Sequence, residues 1–598
     1  MTSPEIRKKY EEMAEAGMKR LHPDKPKLIF GYGTCGLAAG CGCLVDIAKE
    51  IKGVDHVTSH VGCIGLCHVE PLVDVQLPGM PRVTYASVDQ EKLKVIIEKH
   101  LIGGQPVKEL AYAQLATELS VIKKGAINYP KKYDGIPTYQ ELPFFKRQMR
   151  IALRNCGIID PESLEEYMAR GGYRAAYKAL HGMTPEEVIE DVTISNIRGR
   201  GGAGFPTGTK WGFCRGSKGD VKYLICNADE GDPGAYANRA VLEGDPHSII
   251  EGMVIGAYAM GATRGYIYVR AEYPLAVQRL RLAIKQARQH CILGTNIMGT
   301  DFSFDISIFE GAGAFVCGEE IALIASIEGK RGEPRPRPPF PAVSGVFGKP
   351  TNINNVETLA TIPMIIQRGG YWFASIGTER SKGTKVFSLV GKIKRSGLVE
   401  VPMGISLGVI IHEMGGGMLD DKGFKAVQTG GPSGGCIPEN FLETEIDYES
   451  LKKLGSIMGS GGMVALDEDT CMVDVAKFFL NFTSSESCGK CTPCRVGGKR
   501  MLDILDKISK GKGTKEDLVT LEHLAIQVRD ASLCALGGTS PNPVLTTLRY
   551  FRNEYEEHIE KGGCKNTCKK RGASKVAAPS AAGKAPKKTD APKKGVSK

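Results

Sequence analysis

One spacing constrains this chain more than any other: Cys488-x2-Cys491-x2-Cys494 in "SCGKCTPCRVG". Three thiols so placed can wrap one side of a metal centre, and a fourth must then be brought from a distant segment. Cys534, in the polar stretch "ASLCALGG", is the candidate. Such a set holds a [4Fe–4S] cluster. Zinc accepts four sulfurs too, and plain core cysteines are the remaining reading. Around the thiols, "DTCMVDVAKFFLNFTSSES", "GGKRMLDILDKIS", "KEDLVTLEHLAIQV" and "NPVLTTLRYFRNEYEEHI" carry 3.6-residue apolar periodicity, so residues 468–558 are expected to be a helical unit.

With 598 residues the chain is long enough for several domains. Its net charge of +11 suggests nucleic acid until it is located: residues 561–598 hold twelve Lys/Arg against one Asp, which accounts for all of it. The body is neutral, so a nucleic-acid face is not expected. The Ala/Pro/Lys-rich tail, 559–598, lacks the apolar residues that would offset its ordering entropy and is expected to be disordered. No run approaches the ~18 apolar residues of a membrane span, and "MTSPEIRKKYEEMAEAGMKRLHPDK" reads as an amphipathic helix over 1–26, not a signal peptide. A cytoplasmic protein without membrane insertion is expected. In that compartment clustered members of the eighteen cysteines are metal ligands, not disulfides.

Between these ends the chain reads as a multidomain α/β protein. Residues 27–102 form a small α/β unit, with "KLIFGYG", "HVTSHVGC", "PLVDVQL" and "RVTYASV" as strands. Residues 103–142 read as a linker. A Gly-rich α/β domain spans 143–375, with "KYLICNA", "RGYIYVR" and "FDISIFE" as strands, and short turn-dense strands over 384–450 give a β-grasp-like unit.

In "NIRGRGGAGFPTGTKWGF" (196–213), Gly199-x-Gly201-x-x-Gly204 matches a dinucleotide fingerprint, with Asp220 where a ribose carboxylate would stand. The context excludes that use. The fingerprint needs a strand before it and a helix after it, whereas "TPEEVIEDVTIS" precedes it as a helix, and Pro206, Gly208 and Gly212 are expected to break a helix behind it. Bare backbone here lets a flat ring and a phosphate approach N–H groups, with Lys210 as the cation; a plain Gly-rich surface loop is the alternative. Asn227, Asp229, Glu230 and Asp232 follow an apolar strand, and Glu319 and Glu320 stand at another Gly-rich strand-to-helix joint, where open α/β sheets bind ligands. Each acid set also suits a helix N-terminus. Phe340 and the amides Asn352, Asn354 and Asn355 suit a polar heterocycle.

At the N-terminal end, Cys63-x3-Cys67 with Cys35, Cys41 and Cys43 upstream suits a [2Fe–2S] site or a vestige of one, since the first segment has no clean pair.

The strings "RGRGGAGFPTGTKW", "CNADEGDPG", "GAGAFVCGEE", "PPFPAVSGVFGKPTNINNVETL" and "ESCGKCTPCR" resemble the NADH-binding flavoprotein subunit of respiratory complex I and of soluble NAD-linked hydrogenases and formate dehydrogenases, from about Pro143 to Ile559. The resemblance implies that Gly199, Arg200, Gly201, Gly202, Lys210, Asn227, Asp229, Glu230, Asn354, Asn355 and Thr358 contact FMN. It implies that Phe205, Phe213, Asp232, Glu319, Glu320 and Phe340 hold NAD(H), and that Cys488, Cys491, Cys494 and Cys534 hold [4Fe–4S]. The 27–102 unit resembles the family's thioredoxin-like [2Fe–2S] module, with Cys35, Cys63 and Cys67 at ligand positions, Phe30 in place of the first cysteine, and Cys41 or Cys43 as the stand-in, Cys41 being the one expected. Asp232 and Phe315 replace a glutamate and a tyrosine of complex I. Cys564 and Cys568 stand where many soluble relatives continue into a ferredoxin domain, and read as remnants.

The chemistry follows from the cofactors: NADH yields hydride, a cluster takes one electron at a time, and FMN does both. No side chain is required for catalysis itself. With no terminal reductase in the sequence, electrons are expected to leave to iron–sulfur partner subunits, among them a separate thioredoxin-like [2Fe–2S] subunit. Use of ferredoxin in an electron-bifurcating complex, and a zinc-stabilised scaffold protein, are the alternative functions. The acids Glu230, Asp232 and Glu320 are expected to repel a 2′-phosphate and so favour NADH over NADPH.

Overall fold

The computed structural model describes residues 3–51, 54–120, 125–128 and 132–564. The N-terminal sheet has the order β2-β1-β3-β4-β5, from β1 (Lys27–Gly31), β2 (Val57–Val61), β3 (Val73–Gln76), β4 (Arg82–Tyr85) and β5 (Ala111–Leu115). β1 and β2 are parallel and the other pairs antiparallel. The linker expected over 103–142 is therefore corrected. Its short run "AYAQL" pairs with β4 and completes the sheet, a hairpin of β6 (Thr117–Ser120) and β7 (Gly125–Asn128) follows, and Tyr139, Phe144 and Phe145 are buried in the apolar core of the later unit that begins at 384. The first helix, Ser3–Leu21, packs on the helix Leu164–Ala169.

Four parallel strands make the central sheet: β8 (Tyr223–Ala228), β9 (Arg264–Arg270), β10 (Asp305–Gly311) and β11 (Thr351–Asn355), in the order β10-β9-β8-β11. The chain runs outward from β8 through β9 to β10 and then returns to the other side of β8. The carboxyl ends of β8 and β11 therefore flank a reversal of strand order, where such sheets open a ligand crevice. Behind the sheet the helix Pro246–Met260 is almost wholly buried against Val356–Arg368, where the backbone oxygen of Leu359 leaves no room for a side chain on Gly252.

The following sheet has the order β13-β12-β16-β14-β15, from β12 (Thr384–Gly391), β13 (Gly397–Pro402), β14 (Phe424–Thr429), β15 (Gly435–Pro438) and β16 (Gly462–Asp467). β16 lies in the middle, so this unit runs to 467 and not to 450. Five helices then span Met472–Ser485, Gly498–Ser509, Lys515–Ala531, Asn542–Tyr550 and Arg552–Lys561 around one apolar core. Helix and buried chain continue through Cys564, past the expected start of the tail at 559; residues 565–598 lie outside the described residues. Among the described residues no helix is long and apolar enough to cross a membrane.

Candidate functional site: a crevice at the strand reversal beside a four-thiol cavity

The glycine loop is a tight hairpin. Gly199 N–H donates to the Phe205 carbonyl at 2.9 Å and Thr207 N–H to that of Ile197 at 2.9 Å. Gly202 (φ +124°) and Gly204 (φ +64°) hold left-handed backbone, and the Tyr448 ring would stand 2.6 Å from a Cβ on Gly204. The same ring buttresses the loop: its hydroxyl donates to Gly199 O at 2.9 Å, and the Arg198 guanidinium lies 4.1 Å over its face. The expected break after the loop does not occur. Pro206 precedes the helix Thr207–Gly216, and Gly208 and Gly212 lie within it. Gly208 is there because the helix Pro185–Ile194 passes so close that a Cβ would clash with Thr193. The preceding element is still a helix and not a strand, so the loop is not a Rossmann turn.

Lys210, on that helix, reaches back to the sheet and donates to the Ile353 carbonyl at 3.0 Å and to Glu320 at 3.2 Å. Asn354 donates to Asn352 at 2.7 Å and accepts from Trp211 Nε1 at 3.4 Å, so these amides lock the helix to β11. Arg200 N–H donates to Thr358 Oγ1 at 2.9 Å, while a Cβ on Gly201 would come within 3.4 Å of Asn355. The loop thus lies directly over the end of β11. Asn227, paired in register with Asn355, donates to Gly318 O at 2.9 Å and accepts from Asp229 N–H.

The acids divide by role. Glu230 accepts from the N–H groups of Asn238 and Arg239, both at 3.0 Å, and Glu319 from those of Ile321 and Ala322, both at 2.9 Å. Both carboxylates therefore cap helices. Asp232 accepts from Ser460 Oγ at 2.7 Å. Asp229 pairs with Arg270 at 3.2 Å, yet its Oδ2 is buried with no hydrogen-bond partner among the described residues, as is Thr207 Oγ1. Burial pushes Asp229 and Glu230 up to about 7 and Asp232 up to about 6. Glu320 is held between Lys210 and Arg337, the latter at 2.7 Å. The three acids expected to repel a 2′-phosphate are each engaged: Glu230 is buried and caps a helix, Asp232 is half-buried and bonded to Ser460, and Glu320 is flanked by two cations. Asp220 pairs with Lys349 at an exposed position. Phe205, Phe213 and Phe340 are each about half exposed, with the first two rings 6.5 Å apart. Arg270, Arg337, Ser460 and Tyr448 were not legible as site residues, because the hydrogen-bond partners described above lie from 17 to 249 positions away in sequence.

Cys488, Cys491, Cys494 and Cys534 line one cavity with Val316, Pro334 and Leu536. Four thiols around a common space are the donor set of an iron–sulfur cluster. The turn after β10 joins this cavity to the crevice: Val316 lines the cavity, Phe315 N–H donates to Glu486 at 2.8 Å, and Gly318, Glu319 and Glu320 face the crevice groups just described.

In the N-terminal domain the thiols of Cys35, Cys63 and Cys67 lie within 4.8 Å of one another. Cys41 does not join them. It starts the helix Cys41–Ala48 and is buried in the apolar core with Phe30 and Leu44, because the turn through Gly40 places it on the helix's inner face. The group next to the thiols is Glu70, whose Oε1 accepts from Cys35 Sγ at 3.3 Å and whose carboxyl burial pushes up to about 7. The loop bearing Cys63 and Cys67 rests on β13 through Leu398 N–H to Gly65 O at 3.0 Å.

Residues 192–364 match the family model described as the Nuo51 FMN-binding domain, and 474–558 the NADH-ubiquinone oxidoreductase-F iron-sulfur binding region. The chain is 61% identical over 419 residues to the NADP-reducing hydrogenase subunit HndC of Solidesulfovibrio fructosivorans, covering 70% of this chain and 85% of that one. It is 48% identical to the F 2 subunit of NADH-quinone oxidoreductase of Rhizobium meliloti, covering 69% and 98%. Among solved structures it is similar to a chain of the NAD+-reducing [NiFe]-hydrogenase in the H2-reduced state, with a TM-score of 0.61, 29% identity and coverage of 90% and 85%.

Proposed function

Since the chain belongs to the family of the NADH-quinone oxidoreductase F subunits and their hydrogenase counterparts, we propose that it is the electron-input subunit of a multi-subunit oxidoreductase, an FMN- and [4Fe–4S]-dependent enzyme that oxidises NADH. The observation that carries the reading is the contiguity of the two sites: one turn, residues 315–320, touches both the crevice at the strand reversal and the four-thiol cavity.

FMN, when bound, takes the two electrons of a hydride and releases them singly, and the cluster accepts them one at a time. The chain's own part is positioning. The N–H groups of Gly199 and Arg200 are bonded within the protein, so the hairpin offers a phosphate those of residues 201–204, with Lys210 as the cation. Asp229 and Thr207 supply buried polar atoms that lack a protein partner among the described residues. With a pKa of about 7, Asp229 can donate or accept at Oδ2 toward a polar ring edge. The exposed rings of Phe205, Phe213 and Phe340 are proposed to stack on the nucleotide, and Glu320 with Arg337 to fix its polar groups. No side chain is assigned acid–base work.

Iron–sulfur partner subunits receive the electrons in this proposal, and the protein works in the cytoplasm. Among the described residues the thiols of Cys35, Cys63 and Cys67 stand together without Cys41, and no electron step is routed through them. The test is anaerobic: the purified chain should contain FMN, lose its flavin absorbance on addition of NADH, and reduce a viologen dye. A flavin-free protein after anaerobic purification, or a flavin unmoved by NADH, overturns the reading. Because one relative is named for NADP, kcat/KM for both nucleotides belongs in the same assay.

A further inference from the structure

One short loop of the unit that begins at 384 reaches into the crevice. Residues 459–461, just before β16, carry Ser460 between two glycines with left-handed backbone, Gly459 (φ +57°) and Gly461 (φ +105°). A Cβ on Gly461 would stand 2.2 Å from Val386 O on β12, and one on Gly202, in the hairpin over β11, would stand 3.1 Å from Gly459 Cα. The loop is therefore wedged between β12 and the glycine hairpin. From there Ser460 Oγ donates to Asp232 Oδ2 at 2.7 Å.

A buried cation holds Ser460 in place. Lys385, on β12, is fully buried, and its Nζ directs its three N–H donors to Ser460 O at 3.0 Å, to Val386 O at 2.8 Å and to the Glu357 carboxylate. Glu357 is buried too, in the first turn of the helix Val356–Arg368 directly after β11, and it also accepts from Val386 N–H at 2.9 Å. An ammonium so placed cannot turn aside without leaving a buried charge unpaired. The Ser460 carbonyl is thereby fixed, and its hydroxyl with it. Asp232 is half-buried, and its Oδ1 accepts no hydrogen bond among the described residues. One carboxylate oxygen is held by the protein, and the other is left for a donor in the crevice.

We propose, on the reading of the crevice as the NADH site, that Ser460 is a positioning residue for the nucleotide: it holds the Asp232 carboxylate so that Oδ1 accepts from an O–H or N–H group of the dinucleotide. Ionised carboxylate only accepts hydrogen bonds, and the Ser460 hydroxyl both orients it and favours that ionised form. The unit that begins at 384 is in this way part of the substrate site, through Lys385 and Ser460, although Ser460 itself touches no substrate.

The test uses the full-length protein, purified anaerobically with its flavin, and follows flavin bleaching by NADH in stopped flow. Ser460→Ala should raise the NADH concentration for half-maximal bleaching about 5–10-fold, with the limiting rate changed no more than about twofold. Ser460→Thr keeps the hydroxyl and should lie within about twofold of wild type on both counts. Because Ser460 acts through Asp232, Asp232→Asn should raise half-saturation at least as much, and adding Ser460→Ala to it should change little further. Unchanged half-saturation in Ser460→Ala, an equal loss in Ser460→Thr, or full additivity of the two changes overturns the assignment of Ser460 and leaves the NADH reading in place. Unchanged half-saturation in Asp232→Asn overturns it even if Ser460→Ala does not fold. A wild-type flavin unmoved by NADH overturns both.

Discussion

Gly208 and Gly212 stand four residues apart on the helix Thr207–Gly216, either side of Lys210. They differ in what they face. A Cβ on Gly208 would stand 2.8 Å from the backbone Cα and N of Thr193, atoms of a neighbouring helix that cannot rotate aside, whereas one on Gly212 meets nothing within 4 Å. Either Gly→Ala change gains about 1 kcal/mol of helix propensity. For Gly212→Ala that gain stands alone, so the variant should be about 1 kcal/mol more stable. For Gly208→Ala the clash costs about 1–3 kcal/mol, so the net effect runs from neutral to about 2 kcal/mol destabilising. Several domains unfold here, so one two-state free energy is not defined. The assay is the midpoint of flavin release on heating, read by the rise in flavin fluorescence, with wild type and both variants side by side. The expected order is Gly212→Ala highest and Gly208→Ala lowest. Equal midpoints for the two variants, or Gly208→Ala above Gly212→Ala, would refute the packing of this helix and with it the placement of Lys210.

Asp229 is raised from the ordinary carboxylate range to about 7, with burial as the largest cause, so the folded state binds the extra proton and stability falls as pH rises from about 4 to 7. At full strength this opposes ionisation by roughly 4 kcal/mol. Asp229→Asn should therefore lose less thermal stability than wild type between pH 5 and pH 8, and an unchanged pH slope would count against the buried carboxyl. In the N-terminal domain, Cys41→Ser should leave any iron bound there unchanged while Cys67→Ser reduces it, measured on the full chain by EPR after reduction. The opposite pattern would restore Cys41 as a ligand. Glu70→Gln should behave like Cys67→Ser if the carboxylate is the fourth donor.

β11, "TNINN", was read only for its amides, whereas β8, β9, β10 and the helices of the last domain were readable because each carries its own apolar period. β5 and β16 were not. "AYAQL" is short and runs between Leu110 and Ala116 without clear alternation, and "GMVALD" follows a long irregular stretch, so both are strands through partners far away in sequence. The helix after the glycine loop was missed for a related reason. Gly208 lowers local helix propensity, and its purpose emerges only once the neighbouring helix is in place. At the site, residue types were legible while their roles were not: Glu230 and Glu319 have the composition of a ligand cluster and the geometry of helix caps. Cys564 could be found in the sequence, but its neighbours at 471 and 558 become neighbours only through the packing of the first and last helices.

In the proposed function hydride enters at the crevice, and electrons leave one at a time through the Cys488–Cys491–Cys494–Cys534 cavity. Cys491→Ser separates the two halves, because it alters the cavity and leaves the loop over β11 intact. In anaerobic stopped-flow with NADH, the variant should lose about four irons per chain, bleach its flavin at the wild-type rate, and fail to pass electrons to the partner subunits. A variant that retains its irons, or that still transfers electrons to its partners at the wild-type rate, contradicts the account.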